Sequence, residues 1–406
     1  MTGLAARLAG VSASGTMAAA AEAERLRRAG RDVVDLSAGE PDFPTPAHVK
    51  AAARAAIDGD FTRYTAVGGI PELREAICAR YAEDYGVQVS PEGVVVTAGG
   101  KQALFNVALA LLDPGDEVIT HAPCWPTIPE QVKLMGAVPV LVSTRPEAAF
   151  AVDAGAILGA ITPRTKAILL NSPCNPTGAL IDEQTVATVA EAAARHGIWV
   201  IADLCYERLI YDAEVGHNLP RVLFDWHRDR TVLVGSASKT YAMTGWRCGW
   251  SIAPRSLTVA LGLIQGQSTS HVTSITQKAS IAALTGPQDA VAAMRAEYRQ
   301  RRDAIHAWVT SHPAIRCVKP GGAFYLFPDV SRLLPAAGID SSAGFAQALL
   351  EREQVVLTAG EVFGAPGHLR LSYATSTDRL REGADRILRL ATALQPQAPR
   401  APTEAR

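Results

Sequence analysis

Short apolar runs alternate with longer amphipathic stretches through the middle of the chain. Six runs stand out: Val94 to Thr97, Glu117 to Thr120, Val138 to Val142, Ala167 to Asn171, Trp199 to Asp203 and Val232 to Gly235. Strand-like runs separated by helical patterns are the rhythm of an α/β fold. The last three lie about thirty residues apart, room for a strand, a crossover helix and two connections in a parallel sheet. Their carboxyl ends then share one edge, and in such sheets ligands bind outside that edge. Three segments follow directly: Asn171 to Gly178, Asp203 to Tyr206 and Ser236 to Lys239. From about Pro287 the pattern becomes a long charged helix through Arg302, then strand-like pieces at Ala323 to Phe327 and Leu369 to Tyr373. This predicts a second, smaller α+β domain. The Pro- and Ala-rich end, residues 395–406, has no apolar period and too little surface to bury against its ordering entropy, so it is expected to be disordered.

At 406 residues and 48% hydrophobic, the chain can fill two cores. Its formal net charge of −1 leaves no basic excess to steer a polyanion, which argues against nucleic acid and anionic membrane surfaces and for a small-molecule partner. The cysteines, Cys78, Cys124, Cys174, Cys205, Cys248 and Cys317, form no CxxC pair, so no metal site is expected and reduced thiols of a cytoplasmic protein fit better. No apolar run approaches bilayer length, and Arg7 interrupts the Ala-rich start before a signal-like segment develops.

Two lysines invite a nucleotide reading and fail it. Gly235-Ser-Ala-Ser-Lys-Thr240 has Ser238 where a P-loop needs glycine, and Ala98-Gly-Gly-Lys-Gln102 has Gln102 in place of the metal-binding hydroxyl and Val95 in place of the leading glycine. What remains at Lys239 is an amine beside two hydroxyls, Ser236 and Ser238, with Arg247 shortly after. Hydroxyls and a guanidinium suit a phosphate, and a lysine beside a phosphate suits an aldehyde cofactor. Alone, Lys239 would read as a solvated surface lysine. Asp203 ends a buried-type strand, where a carboxylate needs a cationic partner such as a pyridinium nitrogen; it reads equally as the N-cap of a following helix. Tyr206 reads as a donor to a phenolate oxygen or as a core tyrosine. Asn175 falls in a Pro-Thr-Gly turn at the same edge. Gly100 and Lys101 open a helix whose N–H groups can face a phosphate. Trp125 is core packing or a stacking partner for a planar ring.

Together these segments resemble the fold-type-I pyridoxal-phosphate enzymes, specifically the class I aminotransferases of the bacterial aspartate aminotransferase kind. The resemblance runs through Ser37 to Phe43, Tyr64 to Arg74, Ala98 to Asn106, Asn171 to Gly178, Ser236 to Lys239, Ala242 to Gly249 and Leu369 to Thr375. It implies a large cofactor domain at 48–290 with a mostly parallel seven-stranded sheet, and a small α+β domain at 1–47 and 291–394. It implies that Lys239 is the Schiff-base lysine and later the acid and base, that Asp203 pairs with the pyridinium nitrogen, and that Tyr206 and Asn175 bond the ring oxygen. Trp125 matches the ring-stacking aromatic, and Gly100, Lys101, Ser236, Ser238 and Arg247 match the phosphate region. Tyr64 matches the tyrosine that reaches the neighbouring subunit's phosphate, implying a homodimer. Arg370 matches the clamp on the substrate α-carboxylate, with Gly39 facing the same group and Asn175 beside it. Ser14, Thr16 and Lys101 match positions that hold a distal carboxylate.

The expected activity is transfer of an amino group between an L-amino acid of aspartate or glutamate type and a 2-oxo acid such as 2-oxoglutarate. An aromatic, prephenate or specialised-metabolism aminotransferase is the alternative, as is a lyase or decarboxylase of the same fold. A regulator fused to a DNA-binding module would need a helix-turn-helix extension, and a dinucleotide oxidoreductase a glycine fingerprint that Ala98-Gly-Gly-Lys101 lacks. Leu204-Cys205 departs from the family, where an acidic and an aliphatic residue follow the aspartate.

Overall fold

All six apolar runs are strands of one sheet in the computed structural model, which describes residues 3, 5–8, 10–13, 15–211, 217–334 and 339–394. In chain order the strands are β1 (Val34–Asp35), β2 (Val94–Thr97), β3 (Glu117–Ala122), β4 (Val138–Ser143), β5 (Thr165–Asn171) and β6 (Trp199–Asp203). They continue with β7 (Thr231–Ser236), β8 (Gly249–Ile252), β9 (Tyr325–Leu326), β10 (Val355–Val356), β11 (Thr358–Ala359) and β12 (Leu369–Ser372). The chain divides into two compact units. The first comprises Glu40–Arg299 and Pro320–Phe324 with the described residues up to Ala13; the second comprises Gly15–Gly39, Gln300–Lys319 and the described residues from Tyr325. The tail expected to be disordered, 395–406, lies outside the described residues, as does Ser14.

The first unit is built on the seven-stranded sheet, in the order β2-β8-β7-β6-β5-β3-β4. Its runs are continuous rather than alternating because both faces are covered. Val94, Val96, Ile168, Leu170, Val200, Ala202 and Leu233 point into one core with the helices Pro71–Tyr85 and Glu183–His196. Val95, Ala167, Leu169, Ile201, Val232 and Val234 point into the other with the helices Gly100–Leu111 and Arg255–Gly266. That period-2 division gives a helix–sheet–helix sandwich. β8 was not among the runs read from sequence. It is four residues long, begins with glycine and runs antiparallel to both neighbours, pairing Ile252 with Val94 and with Leu233.

The second unit is smaller and mixed. β1 pairs parallel with β10, while β9, β12 and β11 form an antiparallel sheet. The helix Thr377–Ala393 buries Leu380, Ala384, Ile387 and Ala391, spaced three and four apart, and Ser376 caps it by accepting from the Arg379 N–H. The charged helix read from about Pro287 spans Asp289–Val309. Among the described residues no helix is long and apolar enough to cross a membrane.

Candidate active site

β5, β6 and β7 lie side by side in register, with Asn171 opposite Asp203 and Asp203 opposite Val234. The three segments beyond them therefore emerge together. Asn171 ties two of them: its Nδ2 donates to the Asp203 carbonyl (3.2 Å), and its Oδ1 accepts from the N–H of buried Asn175 (3.0 Å). The Asn171 N–H donates in turn to Nε2 of His121, at the end of β3 (3.2 Å). That bond needs an unprotonated Nε2, and burial pushes the imidazole down to about 4, so the ring is neutral at physiological pH.

Asp203 is 4% exposed, and no helix follows it to cap. Residues 205–208 form a turn instead, in which Oδ1 accepts the Cys205 N–H (3.1 Å). Burial pushes its carboxyl up to about 6, and that single N–H is what opposes the shift. Lys239 sits in the short helical turn Ala237–Thr240 after β7. Ser236 begins that turn, with its Oγ accepting from the Ser238 N–H (3.1 Å) and bonded to Ser238 Oγ (2.9 Å). The Lys239 ammonium lies 6.0 Å from the Phe324 ring centroid, and the Tyr206 ring packs edge-on against the same phenylalanine (5.5 Å). Phe324 was not singled out from sequence; inside an apolar strand-like run it reads as core.

Around Arg247 the backbone forms a small cradle. The guanidinium donates to the Thr244 carbonyl (2.8 Å) and the Ala98 carbonyl (3.1 Å). Gly99, at φ +83°, is the N-cap of the helix Gly100–Leu111, and a Cβ there would collide with the Arg247 guanidinium. A Cβ on Gly100 would stand 3.6 Å from that of Ser236. The ends of β2 and β7 thus bring N-terminal helix N–H groups, two hydroxyls and a guanidinium together, the groups an oxyanion needs. The Lys101 ammonium lies over Trp125, 5.0 Å from its ring centroid. Partial burial, then the charge of Arg247, lowers the Lys101 pKa. Tyr64 is 91% exposed, its ring edge-on to His271 at 5.7 Å.

In the second unit Arg370 is buried on β12. Its Nη2 donates to the Ser37 carbonyl (2.8 Å), and its guanidinium lies over the rings of Tyr325 (4.4 Å) and Phe363 (5.1 Å). At Gly39 a Cβ would stand 3.5 Å from the Tyr325 hydroxyl and 4.0 Å from Arg370 Nη2. Tyr325 and Phe363 carry no sequence signal of this role. Thr16 lies in the helix Gly15–Arg28, with its side chain outside the described residues.

A mostly parallel seven-stranded sheet, a lysine after β7, a buried aspartate at the end of β6 and an oxyanion cradle at the ends of β2 and β7 define an α/β transferase of the aminotransferase class. Residues 31–387 match the family "Aminotransferase class I and II", and the chain belongs to that family. It is 43% identical to the aspartate/prephenate aminotransferase of Cereibacter sphaeroides over 386 residues, covering 94% of this chain and 96% of that one. It is 42% identical to the aspartate aminotransferase of Geobacillus stearothermophilus, covering 95% and 98%. The solved aspartate aminotransferase of Thermus thermophilus with maleate superposes with a TM-score of 0.90 at 43% identity, over 96% of this chain and 100% of that one.

Proposed function

We propose that this protein is a homodimeric, cytoplasmic, pyridoxal-phosphate-dependent aminotransferase that moves an amino group between aspartate or glutamate and a 2-oxo acid such as 2-oxoglutarate. The observation that carries this reading is Asp203: a buried carboxylate, raised by desolvation, at the edge where Lys239 also stands. A protonated ring nitrogen is the cation that such a carboxylate fits, and the Gly99–Gly100, Ser236, Ser238 and Arg247 cradle fits the phosphate. When bound, pyridoxal 5′-phosphate supplies an aldehyde that links to an amine and a ring that draws electrons from the substrate α-carbon.

The chain's own residues do the rest. Lys239 would hold the cofactor covalently through its amine and would move the proton at the substrate α-carbon. Asp203 keeps the ring nitrogen protonated, Tyr206 and Asn175 hold the ring oxygen, and Trp125 stacks on the ring. Arg370, with Gly39, takes the α-carboxylate, and Lys101, Ser14 and Thr16 take the distal carboxylate. Tyr64 serves the phosphate of a second copy, and its exposure together with that of Val259 and Leu263 (58% and 68%) supports a dimer. The relative solved with maleate, a dicarboxylate, supports the acidic substrate; the Cereibacter relative's name favours prephenate as a second acceptor. Borohydride reduction of the yellow holoenzyme followed by peptide mapping tests the reading: the cofactor is expected on Lys239, and its recovery on another lysine would overturn it. Light scattering tests the dimer, which a fully active monomer would exclude.

A further inference from the structure

One residue beyond Tyr206, the chain turns its next two side chains onto the end of the helix Pro71–Tyr85. The Glu207 carboxylate accepts from the Tyr85 hydroxyl (2.9 Å) and from the Tyr81 hydroxyl (3.3 and 3.4 Å). Arg208 pairs with Asp84 on the same helical turn. The network continues through Tyr81, whose hydroxyl accepts from Trp250 Nε1 on β8 (3.3 Å). Trp250 and Tyr81 together fill the space beside Gly235, where a Cβ would meet the Tyr81 hydroxyl at 2.6 Å and collide with the indole. Gly235 immediately precedes Ser236 and stands four residues before Lys239. One polar cluster thus braces two of the three segments that carry the proposed chemistry.

We propose that Glu207 is a positioning residue of the catalytic centre, which anchors the Asp203–Tyr206 turn on the helix Pro71–Tyr85 and so fixes the direction of the Tyr206 hydroxyl. The proposal rests on the reading that Tyr206 bonds the cofactor's ring oxygen. Backbone bonds close the turn on itself, from the Glu207 N–H to the Leu204 carbonyl (2.9 Å) and from the Leu209 N–H to the Tyr206 carbonyl (2.8 Å), and the Tyr206 ring meets Phe324 edge-on. Two hydrogen bonds from tyrosine hydroxyls to Glu207, in a desolvated site, tie that turn to the neighbouring helix. Desolvation pushes the Glu207 carboxyl up to about 8, opposed by the two tyrosine hydroxyls. The charged and titratable groups around it are Tyr81, Asp84 and Tyr85 from the helix, Cys205 and Arg208 from its own turn, and Tyr241 from the segment after Lys239.

The test is a pH titration of the visible absorbance of the bound cofactor in the holoenzyme, with thermal melting alongside. A hydroxyl that donates to the ring oxygen favours its ionised form, so Tyr206→Phe is expected to raise the midpoint by about one unit. Glu207→Ala is expected to raise it part of the way. Glu207→Gln returns it near the wild-type value, because an amide offers an acceptor to one tyrosine and a donor to the other. If Glu207→Ala melts lower but leaves the midpoint unmoved, the residue is merely structural and the proposal falls. If Ala and Gln both lower the midpoint equally, Glu207 acts through its charge alone and the proposal also falls. If Tyr206→Phe itself leaves the midpoint unmoved, the underlying assignment of Tyr206 fails, and this inference with it. Should Glu207→Ala not fold, Tyr85→Phe removes the shorter bond and carries the same expectation of a raised midpoint.

Discussion

Asp203 on β6 and Arg370 on β12 are 4% and 2% exposed, yet their units prepare them in opposite ways. Asp203 has one backbone N–H on its carboxylate and a carboxyl raised to about 6, the signature of an anion awaiting a cation. Arg370 is stacked on two aromatic rings and held by the Ser37 carbonyl, so its charge is stabilised before any ligand arrives. The lesson is that one buried charge is left poorly compensated and the other is pre-organised. In the proposed function the first belongs to a resident cofactor and the second to a substrate that comes and goes, which must not be bound at the cost of reorganising its clamp.

The strongest way to separate the two regions is to remove the amine beside Asp203. Lys239→Ala is expected to lower turnover by about 10²- to 10⁴-fold or more, since the proton transfer loses its base, while the cradle still binds cofactor. Normal turnover in that variant would remove Lys239 from the chemistry. The matching change in the second unit is Arg370→Lys, which keeps the charge and loses the planar fork. It should cost roughly ten- to a hundredfold in kcat/KM, about 1.5 to 3 kcal/mol, with cofactor affinity unchanged. A parallel loss of cofactor affinity would erase the distinction between the two sites.

A smaller effect tests the distal carboxylate. Lys101→Ala should weaken aspartate by about tenfold or more relative to phenylalanine, because a neutral ring has no partner for the ammonium. Equal losses for both donors would assign Lys101 to the phosphate end and to Trp125 alone.

A further effect lies in stability and sharpens the view of Asp203 as poorly compensated. Its folded value, about 6, lies above the ordinary 3.8, so in cofactor-free protein its contribution is intact below pH 3.8 and is lost as pH rises through 6. His121 has the opposite sign: its folded value, about 4, lies below 6.5, so its contribution is present above pH 6.5 and is lost as pH falls through 4. The two therefore offset one another across nearly the same window. Asp203→Asn should gain on the order of 2 kcal/mol relative to wild type between pH 4 and 7, and His121→Gln should show the reverse trend. Denaturant unfolding of cofactor-free protein at pH 4, 5.5 and 7 reads both, and a curve parallel to wild type would refute either assignment.

The sequence by itself determined the α/β frame and the positions of β2 and β6, because strands buried on both faces are written as unbroken apolar runs. It also determined which residues stand just beyond β5, β6 and β7, since parallel pairing forces those ends to one edge. Tertiary structure decided what no local pattern encodes. The antiparallel insertion of β8 between β2 and β7 depends on partners more than 150 residues away on one side, as in the pairing of Val94 with Ile252. The contact of Phe324 with both Lys239 and Tyr206, the grip of Tyr81 and Tyr85 on Glu207, and the neutral His121 under Asn171 are likewise long-range. The charge states follow the same rule: a carboxyl at about 6 and an imidazole at about 4 arise from desolvation, which is set by whatever packs around a group and not by its neighbours in sequence.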